Sequence, residues 1–316
     1  MKRQITLALF AFMFIMCLAS SVADGGKLSG VWINSGDEGY YQLTVDLGGK
    51  HYKLTDGGAK CHGYLQMEND FVSDYLIITD AEQLLTNTYS VKYYSLRYGM
   101  PDQIETANIV YSPETGTVKF GDAYTFTADM ACKYVEMVVA NTNILLAPVN
   151  GTILMKAGLG MMFAYDGLER GWYRIRLGDG RTAYMPSSKA AAATKCEVPA
   201  DAFNATGYIT DVDGKGHTAV SFGKSGDVVS MYMEYSTVTD IEKSLPRWLY
   251  TTKYSGRVEG NRLVFDRKVQ YGVGSFELAE ATPDQMEAIE PYTVYYSPTN
   301  ACFIIDGKPL VPSGTN

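Results

Sequence analysis

The feature that most constrains the fold of this chain is an internal repeat. The segment PDQIETANIVYSPETGTVKFGD, residues 101–122, has a counterpart in PDQMEAIEPYTVYYSPTNACFIIDG, residues 283–307. In both segments Pro-Asp-Gln, an apolar residue and Glu come in the same order and precede a Tyr-Ser-Pro sequence. Self-similarity of this extent indicates duplicated structural units. We therefore expect two related domains, at residues 27–128 and 200–311.

Strand patterns dominate both repeats. Short runs rich in β-branched and aromatic residues, such as YYQLTVDL and RLVFDRKV, are separated by glycine-containing turns. The best helix signal is Thr282-Pro283-Asp284-Gln285, which combines an N-cap Thr with Pro at the first helical position. The Ser112-Pro113 and Ser297-Pro298 pairs place Pro where a type I turn favours it, so we expect a hairpin to close at each. The sequence thus predicts an all-β chain with two homologous antiparallel β sandwich or barrel domains, each with one short helix.

The N-terminus has the layout of a secretory signal peptide. Lys2 and Arg3 precede an apolar run at residues 5–18, and Ser21-Val22-Ala23 forms a small-x-small cleavage site. The alternative, a membrane anchor, requires a longer run, since a spanning helix needs about 20 residues. We expect residues 1–23 to be removed and the remainder to be secreted, periplasmic or part of the cell envelope, without membrane insertion.

The charge balance restricts the partners. The chain has 35 acidic and 27 basic residues, and cleavage removes two of the basic ones. Nucleic acids and anionic membranes attract positively charged surfaces. We therefore expect neither as a partner.

Four cysteines remain after cleavage, and an even number in an exported chain permits disulfides. Cys132 and Cys196 bracket the central segment, so a disulfide between them is the favoured pairing. Four buried reduced thiols are the alternative. Cys61 is followed directly by His62 in a glycine-rich loop, and such neighbours do not provide the geometry of a nucleophile and its base.

The central segment, residues 132–188, carries a recognisable series of motifs. Asn143 and Pro148 open it, an apolar-Lys-x-Gly element follows at residues 154–158, and Gly171-Trp172-Tyr173 leads to a final turn and strand at residues 179–185. In this order and spacing the segment resembles a bacterial SH3-like domain of the kind found in exported cell-wall proteins. The resemblance covers residues 141–188 and implies a small SH3-like barrel that contacts peptide or cell-wall polymer. Residues 189–199, rich in Ala, are predicted to be a linker with a helical turn through the alanines.

The strand WYRIRL within this segment suggests a binding surface. Because side chains alternate along a strand, Tyr173 and Ile175 share one face, which we expect to be core, while Trp172 lies on the other face with two arginines. An outward Trp is costly unless something covers it. A wall peptide, a glycan or a neighbouring domain would do so, with Tyr165 and Asp166 as the predicted neighbours of Trp172.

Catalytic and metal-binding motifs are missing from the sequence. The chain has three histidines, and none of them stands in a recognised catalytic spacing. No metalloprotease, nucleophile-elbow, phosphate-loop or dinucleotide pattern occurs, so we expect no cofactor and no metal. The sequence favours an exported non-catalytic binding or scaffold protein of the cell envelope, whose partner is a cell-wall peptide or glycan or another envelope protein. A structural component of a surface assembly and a carboxylate-based hydrolase are the alternatives.

Overall fold

The computed structural model describes residues 28–36, 39–49, 51–53, 60–68, 73–96, 103–210, 216–240, 245–272 and 274–312. These residues form β-strands and short 3-10 turns in three antiparallel sheets and a two-stranded ribbon, which confirms the predicted all-β class. Three segments lie outside the described residues: the expected signal peptide at residues 1–23, the Pro-Asp pair at residues 101–102 of the first repeat, and residues 211–215.

Two compact units divide the chain. The first comprises the residues up to 135 together with 141–157 and 163–195. The second comprises residues 136–140, 158–162 and those from 196 onward.

The first unit contains a nearly closed, eight-stranded barrel. Its strands and those of a small ribbon are β1 (Ser29–Gly36), β2 (Gly39–Asp46), β3 (Tyr52–Lys53), β4 (Lys60–Cys61), β5 (Gly63–Glu68), β6 (Ser73–Leu85), β7 (Thr88–Ser95), β8 (Glu105–Ser112), β9 (Thr117–Phe120) and β10 (Tyr124–Phe126). β3 and β4 pair only with each other, while the other eight follow one another around the sheet in chain order.

The interior of this barrel is filled by alternate side chains, because successive residues of a strand point to opposite faces. Its fully buried members are mostly large and apolar, including Trp32, Leu43, Leu65, Ile78, Val91, Ile109 and Phe126. Burial of one such side chain stabilises the fold by about 1.5–3 kcal/mol. The period-two pattern of the sequence is therefore what specifies the inner face.

A seven-stranded sheet follows the first barrel in the chain. Its strands are β11 (Tyr134–Met137), β12 (Thr142–Leu145), β13 (Ile153–Ala157), β14 (Met162–Glu169), β15 (Trp172–Arg176), β16 (Thr182–Pro186) and β17 (Ala190–Ala193). They are ordered β13-β12-β16-β15-β14-β11-β17. The alanines expected to form a helical turn in the linker are instead strand β17. Its pairing with neighbouring backbone, as in the bond from Lys133 N–H to Ala193 O at 3.1 Å, outweighs the helical preference of alanine.

The second unit contains the other nearly closed barrel. Its strands are β18 (Thr206–Thr210), β19 (Gly216–Ser225), β20 (Val228–Asp240), β21 (Leu245–Glu259), β22 (Arg262–Tyr271), β23 (Glu287–Ser297), β24 (Cys302–Ile305), β25 (Lys308–Pro309) and β26 (Val311–Pro312). β18 to β25 again follow one another in chain order, and β26 pairs with the free side of β18. The two barrels therefore have the same strand order, as a duplication requires.

The last hairpins of the two barrels agree in detail. The β8–β9 hairpin begins at Ser112 paired with Thr117, and the β23–β24 hairpin begins at Ser297 paired with Cys302, so both close at the predicted Ser-Pro turns. The third residue after each proline has positive φ, with Gly116 at 63° and the alanine at the equivalent position at 49°.

The predicted helical turn before the second of these hairpins is also present. Pro283–Gln285 is a 3-10 turn, and Gln285 Oε1 accepts a hydrogen bond from the backbone N–H of Thr282 at 2.9 Å.

Candidate functional site

Strand β15 carries Trp172, the central residue of the predicted binding surface. Tyr173 and Ile175 are buried, with 1% and 0% of their surface exposed, whereas Trp172 and Arg174 on the opposite face are half-buried. The predicted alternation is confirmed. Trp172 is neither fully exposed nor fully packed, so its ring offers a partial surface.

The two predicted neighbours of Trp172 are separated by an irregularity in the strand. The pairing of β14 with β15 shifts between Tyr165 and Gly167, which directs Tyr165 into the core, where its exposed fraction is 4%. Burial raises the pKa of its hydroxyl well above the ordinary value. The carboxylate of Asp166 lies 3.3 Å from both Arg174 and Arg176. Tyr165 is therefore out of reach of a surface ligand, and Asp166 is held in an ion-pair network.

All four described cysteines are free thiols, so the expected Cys132–Cys196 disulfide is not formed in this structure. Cys132 is buried, and its thiol donates to the carbonyl oxygen of Tyr134 at 2.9 Å. Cys196 lies 3.7 Å from the side-chain oxygen of Asn261. The sulfurs of Cys132 and Cys196 thus each have a local hydrogen-bond partner. The alternative expected four buried thiols, and the structure has two buried, Cys61 and Cys132, and two half-buried, Cys196 and Cys302.

A pocket of about 790 Å³ lies at one end of the first barrel. The pocket is lined by side chains near the ends of β5, β7 and β9 and near the beginnings of β6, β8 and β10. We call it the first-barrel pocket; its principal lining residues are Met67, Asp74, Tyr93, Ser95, Glu105, Ala107, Phe120 and Tyr124. Eight-stranded barrels are wide enough to hold one small ligand.

Hydrogen-bonded polar groups converge on this pocket. Ser95 Oγ donates to the carboxylate of the buried Asp74 at 2.6 Å, and Tyr93 Oη donates to the carboxylate of Glu105 at 2.7 Å. Burial and the neighbouring Glu105 raise the pKa of Tyr93 to about 12, so its hydroxyl stays protonated and remains a donor at neutral pH. Lys119 is also part of the lining. The pocket therefore combines fixed acceptors with a cationic group at its edge.

Aromatic and thioether groups form the rest of the wall. The ring of Phe120 lies edge-on to that of Tyr93, with centroids 5.4 Å apart, and 6.3 Å from the ring of Tyr124. The Tyr124 hydroxyl donates to the sulfur of Met67 at 3.0 Å. An apolar wall with a few convergent polar groups is the usual composition of a small-molecule site.

A comparison of the two barrels indicates why this pocket is open. Ala107 on β8 and Tyr292 on β23 each stand five residues before the Ser of the Ser-Pro turn. Tyr292 packs against Tyr254 with ring centroids 5.3 Å apart, and its hydroxyl donates to Asp306 at 3.1 Å. Because alanine leaves unoccupied the space that a tyrosine ring fills, the first barrel has room where the second has a side chain.

The first-barrel pocket was not predicted from the sequence. Its signal was nevertheless present in the repeat, since aligning the two Ser-Pro turns places Ala107 against Tyr292. A second signal for a pocket was the presence of two polar residues, Asp74 and Ser95, at inward-facing positions near strand ends.

The described part of the chain holds no group of three or more His, Cys, Asp or Glu side chains suited to a metal ion. Within the same residues, no helix is long and apolar enough to cross a membrane. Comparisons of the chain with protein-family models, with curated proteins and with solved structures find no match.

Proposed function

We propose that this chain is an exported, non-catalytic binding protein of the cell envelope, and that it holds a small organic ligand in the first-barrel pocket. The N-terminal signal pattern supports export. The pocket, with its aromatic wall and its hydrogen-bonded carboxylates, supports binding. The observation that carries the proposal is the volume left beside Ala107, at a position where the second barrel has Tyr292.

The ligand that fits such a site has an apolar face and hydrogen-bonding substituents. The rings of Tyr93 and Tyr124, which are only partly buried, offer contact to the apolar face, and aromatic contacts of this kind contribute about 0.5–1.5 kcal/mol beyond burial. Asp74 and Glu105 accept hydrogen bonds from hydroxyl or amine groups. Both carboxylates are already oriented by protein hydroxyls, so little ordering is needed on binding.

A fluorescence titration with the apolar dye N-phenyl-1-naphthylamine tests the proposal. We expect saturable enhancement with the wild-type chain and its loss in Ala107→Tyr, which places a ring in the pocket. Ala288→Tyr, on an exposed position of β23, is the matched control and should bind as the wild type does. Binding that Ala107→Tyr leaves intact, or no saturable binding at all, would contradict the proposal.

The same preparation separates this proposal from the hydrolase alternative. Asp74 and Glu105 line one pocket, and a pair of carboxylates is the usual machinery of glycoside hydrolysis. We expect no release of reducing sugar from peptidoglycan. Turnover that is abolished by Glu105→Gln would show the pocket to be an active site.

The SH3-like resemblance supports a second candidate function, contact with a peptide or a wall polymer. The supporting observation is that Trp172 is only partly buried, on the same face of β15 as Arg174. Trp172→Ala should then abolish co-sedimentation with peptidoglycan while leaving the thermal melt close to that of the wild type. If the loss of stability approaches the roughly 3–5 kcal/mol of a buried Trp deletion, Trp172 is a packing residue and this candidate fails.

A further inference from the structure

The ribbon β3–β4 brings two histidines together outside the barrel. Tyr52 pairs with Cys61 and Lys53 with Lys60, so the antiparallel register places His51 directly across from His62. Their ring centroids lie 4.1 Å apart and the ring planes are tilted by 55°. Cross-strand neighbours in a two-stranded ribbon have their side chains on the same face.

The hydrogen bonding of His51 fixes which of its nitrogens is free to bind. His51 Nε2 lies 2.8 Å from the carbonyl oxygen of Thr79. A carbonyl oxygen can only accept, so Nε2 carries the proton and the lone pair of the neutral ring lies on Nδ1. A carbonyl that holds the other ring N–H in this way is the usual outer-shell partner of a metal-binding histidine.

His62 supplies the second nitrogen. Its Nδ1 is buried and has no hydrogen-bond partner among the described residues. A ring nitrogen that carries no proton has a lone pair available to bind. A buried nitrogen without a partner is uncommon in folded proteins and calls for an explanation.

We propose that His51 and His62 form a binding site for a divalent transition-metal ion, with water completing the coordination. Neutral imidazole is a preferred ligand of Zn²⁺, Ni²⁺ and Cu²⁺. Two imidazoles that bind one metal ion have metal–nitrogen bonds of about 2.0–2.1 Å. Their ring centroids are then farther apart than the 4.1 Å between His51 and His62, by up to about 1 Å. His51 is exposed and can rotate to provide this distance.

The third histidine of the chain provides a matched control, because the chain contains no others. Zn²⁺ binding is measured by titration calorimetry on the full chain without a histidine tag, for the wild type and for His51→Gln, His62→Gln and His217→Gln. We expect one site per chain. We also expect weakening by at least ~10-fold in each of the first two variants, since even outer-shell changes cost about 10–100-fold, and no change in His217→Gln.

A spectroscopic measurement distinguishes the loss of a metal ligand from a folding defect. Electron paramagnetic resonance of the Cu²⁺ complex should show coupling to two nitrogens in the wild type and to one in His51→Gln. Because His51 is exposed, this variant should melt as the wild type does in the absence of metal. No saturable uptake by the wild type, or equal binding by the wild type and His51→Gln, would overturn the proposal.

Discussion

Ala107 and Tyr292 occupy equivalent positions in the final hairpins of the two barrels, each five residues before a Ser-Pro turn. One lines a pocket of about 790 Å³, and the other fills its position with a ring that packs on Tyr254. The two copies of a duplicated fold can therefore differ in how one position near the barrel end is filled, with Ala in the first barrel and Tyr in the second. Ala107→Tyr fills this position in the first barrel, and the opposite change, Tyr292→Ala, empties it in the second.

Replacing Tyr292 by Ala should open the second barrel. The variant loses the contact with Tyr254 and the hydrogen bond to Asp306. Because Tyr292 is only half-buried, we expect a loss of about 1–3 kcal/mol in the free energy of unfolding, below the 3–5 typical of a large buried ring. In an Ala107→Tyr background, N-phenyl-1-naphthylamine should bind again.

The control for that experiment is Tyr292→Phe. It keeps the ring and removes only the hydroxyl, so it should leave the second barrel closed to the dye. Dye binding by Tyr292→Phe, or none by the Ala107→Tyr, Tyr292→Ala double variant, would show that this position does not govern access.

Removing the Ser95 hydroxyl should destabilise the first barrel. Ser95 donates to the buried carboxylate of Asp74 at 2.6 Å, and hydrogen bonds to charged groups contribute about 1.5–3 kcal/mol. We expect Ser95→Ala to lower the midpoint of urea unfolding accordingly. Thr125→Ala, at an exposed position of β10, should have a much smaller effect. Equal midpoints for Ser95→Ala and the wild type would mean that water replaces this bond.

Much of the fold was predictable because it is encoded locally and twice. The two Ser-Pro turns and the alternation around Tyr173 and Ile175 each follow from short sequence patterns, and all are present in the structure. The Ser-Pro turn occurs in both copies of the repeat, so each copy supports the prediction for the other.

The candidate site was less predictable because it depends on register and on packing. The prediction placed Tyr165 and Asp166 beside Trp172 as residues of a preceding loop. They instead belong to strand β14, and a shift in the β14–β15 pairing directs Tyr165 inward. Whether a pocket forms in the first barrel depends on which inward-facing side chains are small and on the end of the barrel at which they lie. Strand periodicity gives the inward face and leaves both of these undetermined.

The positive-φ position of the two hairpins gives a reciprocal prediction. Gly116 has φ of 63° and Ala301 has φ of 49°, and a non-glycine residue in this conformation costs about 1–2 kcal/mol. We expect Ala301→Gly to stabilise the second barrel by up to about 1 kcal/mol, after the entropic cost of glycine. Gly116→Ala should destabilise the first, because the added Cβ would lie 2.9 Å from the Cβ of Ala128. Thermal melts of the two variants decide this, and shifts of the same sign would contradict it.

The free thiols predict a definite pattern of reactivity. We expect titration of the unfolded protein without residues 1–23, with Ellman's reagent and no reductant, to find all four of its cysteines. In the native state Cys196 and Cys302, which are half-buried, should react well before Cys61 and Cys132, which are buried. Two thiols in place of four in the unfolded protein would show that a disulfide forms after all.

The buried thiol of Cys132 should make the fold sensitive to alkaline pH. Burial raises the pKa of Cys132 to about 12, above the roughly 8.5 of an unfolded cysteine. The unfolded state therefore loses this proton first as pH rises. The stabilisation due to the protonated thiol is fully present below about pH 8.5 and declines as pH approaches 12. In urea unfolding at pH 8 and pH 10.5, Cys132→Ala should show a smaller loss of stability between the two pH values than the wild type. The difference between the two proteins isolates this thiol from the tyrosines that titrate in the same range, and parallel pH profiles for both would contradict the prediction.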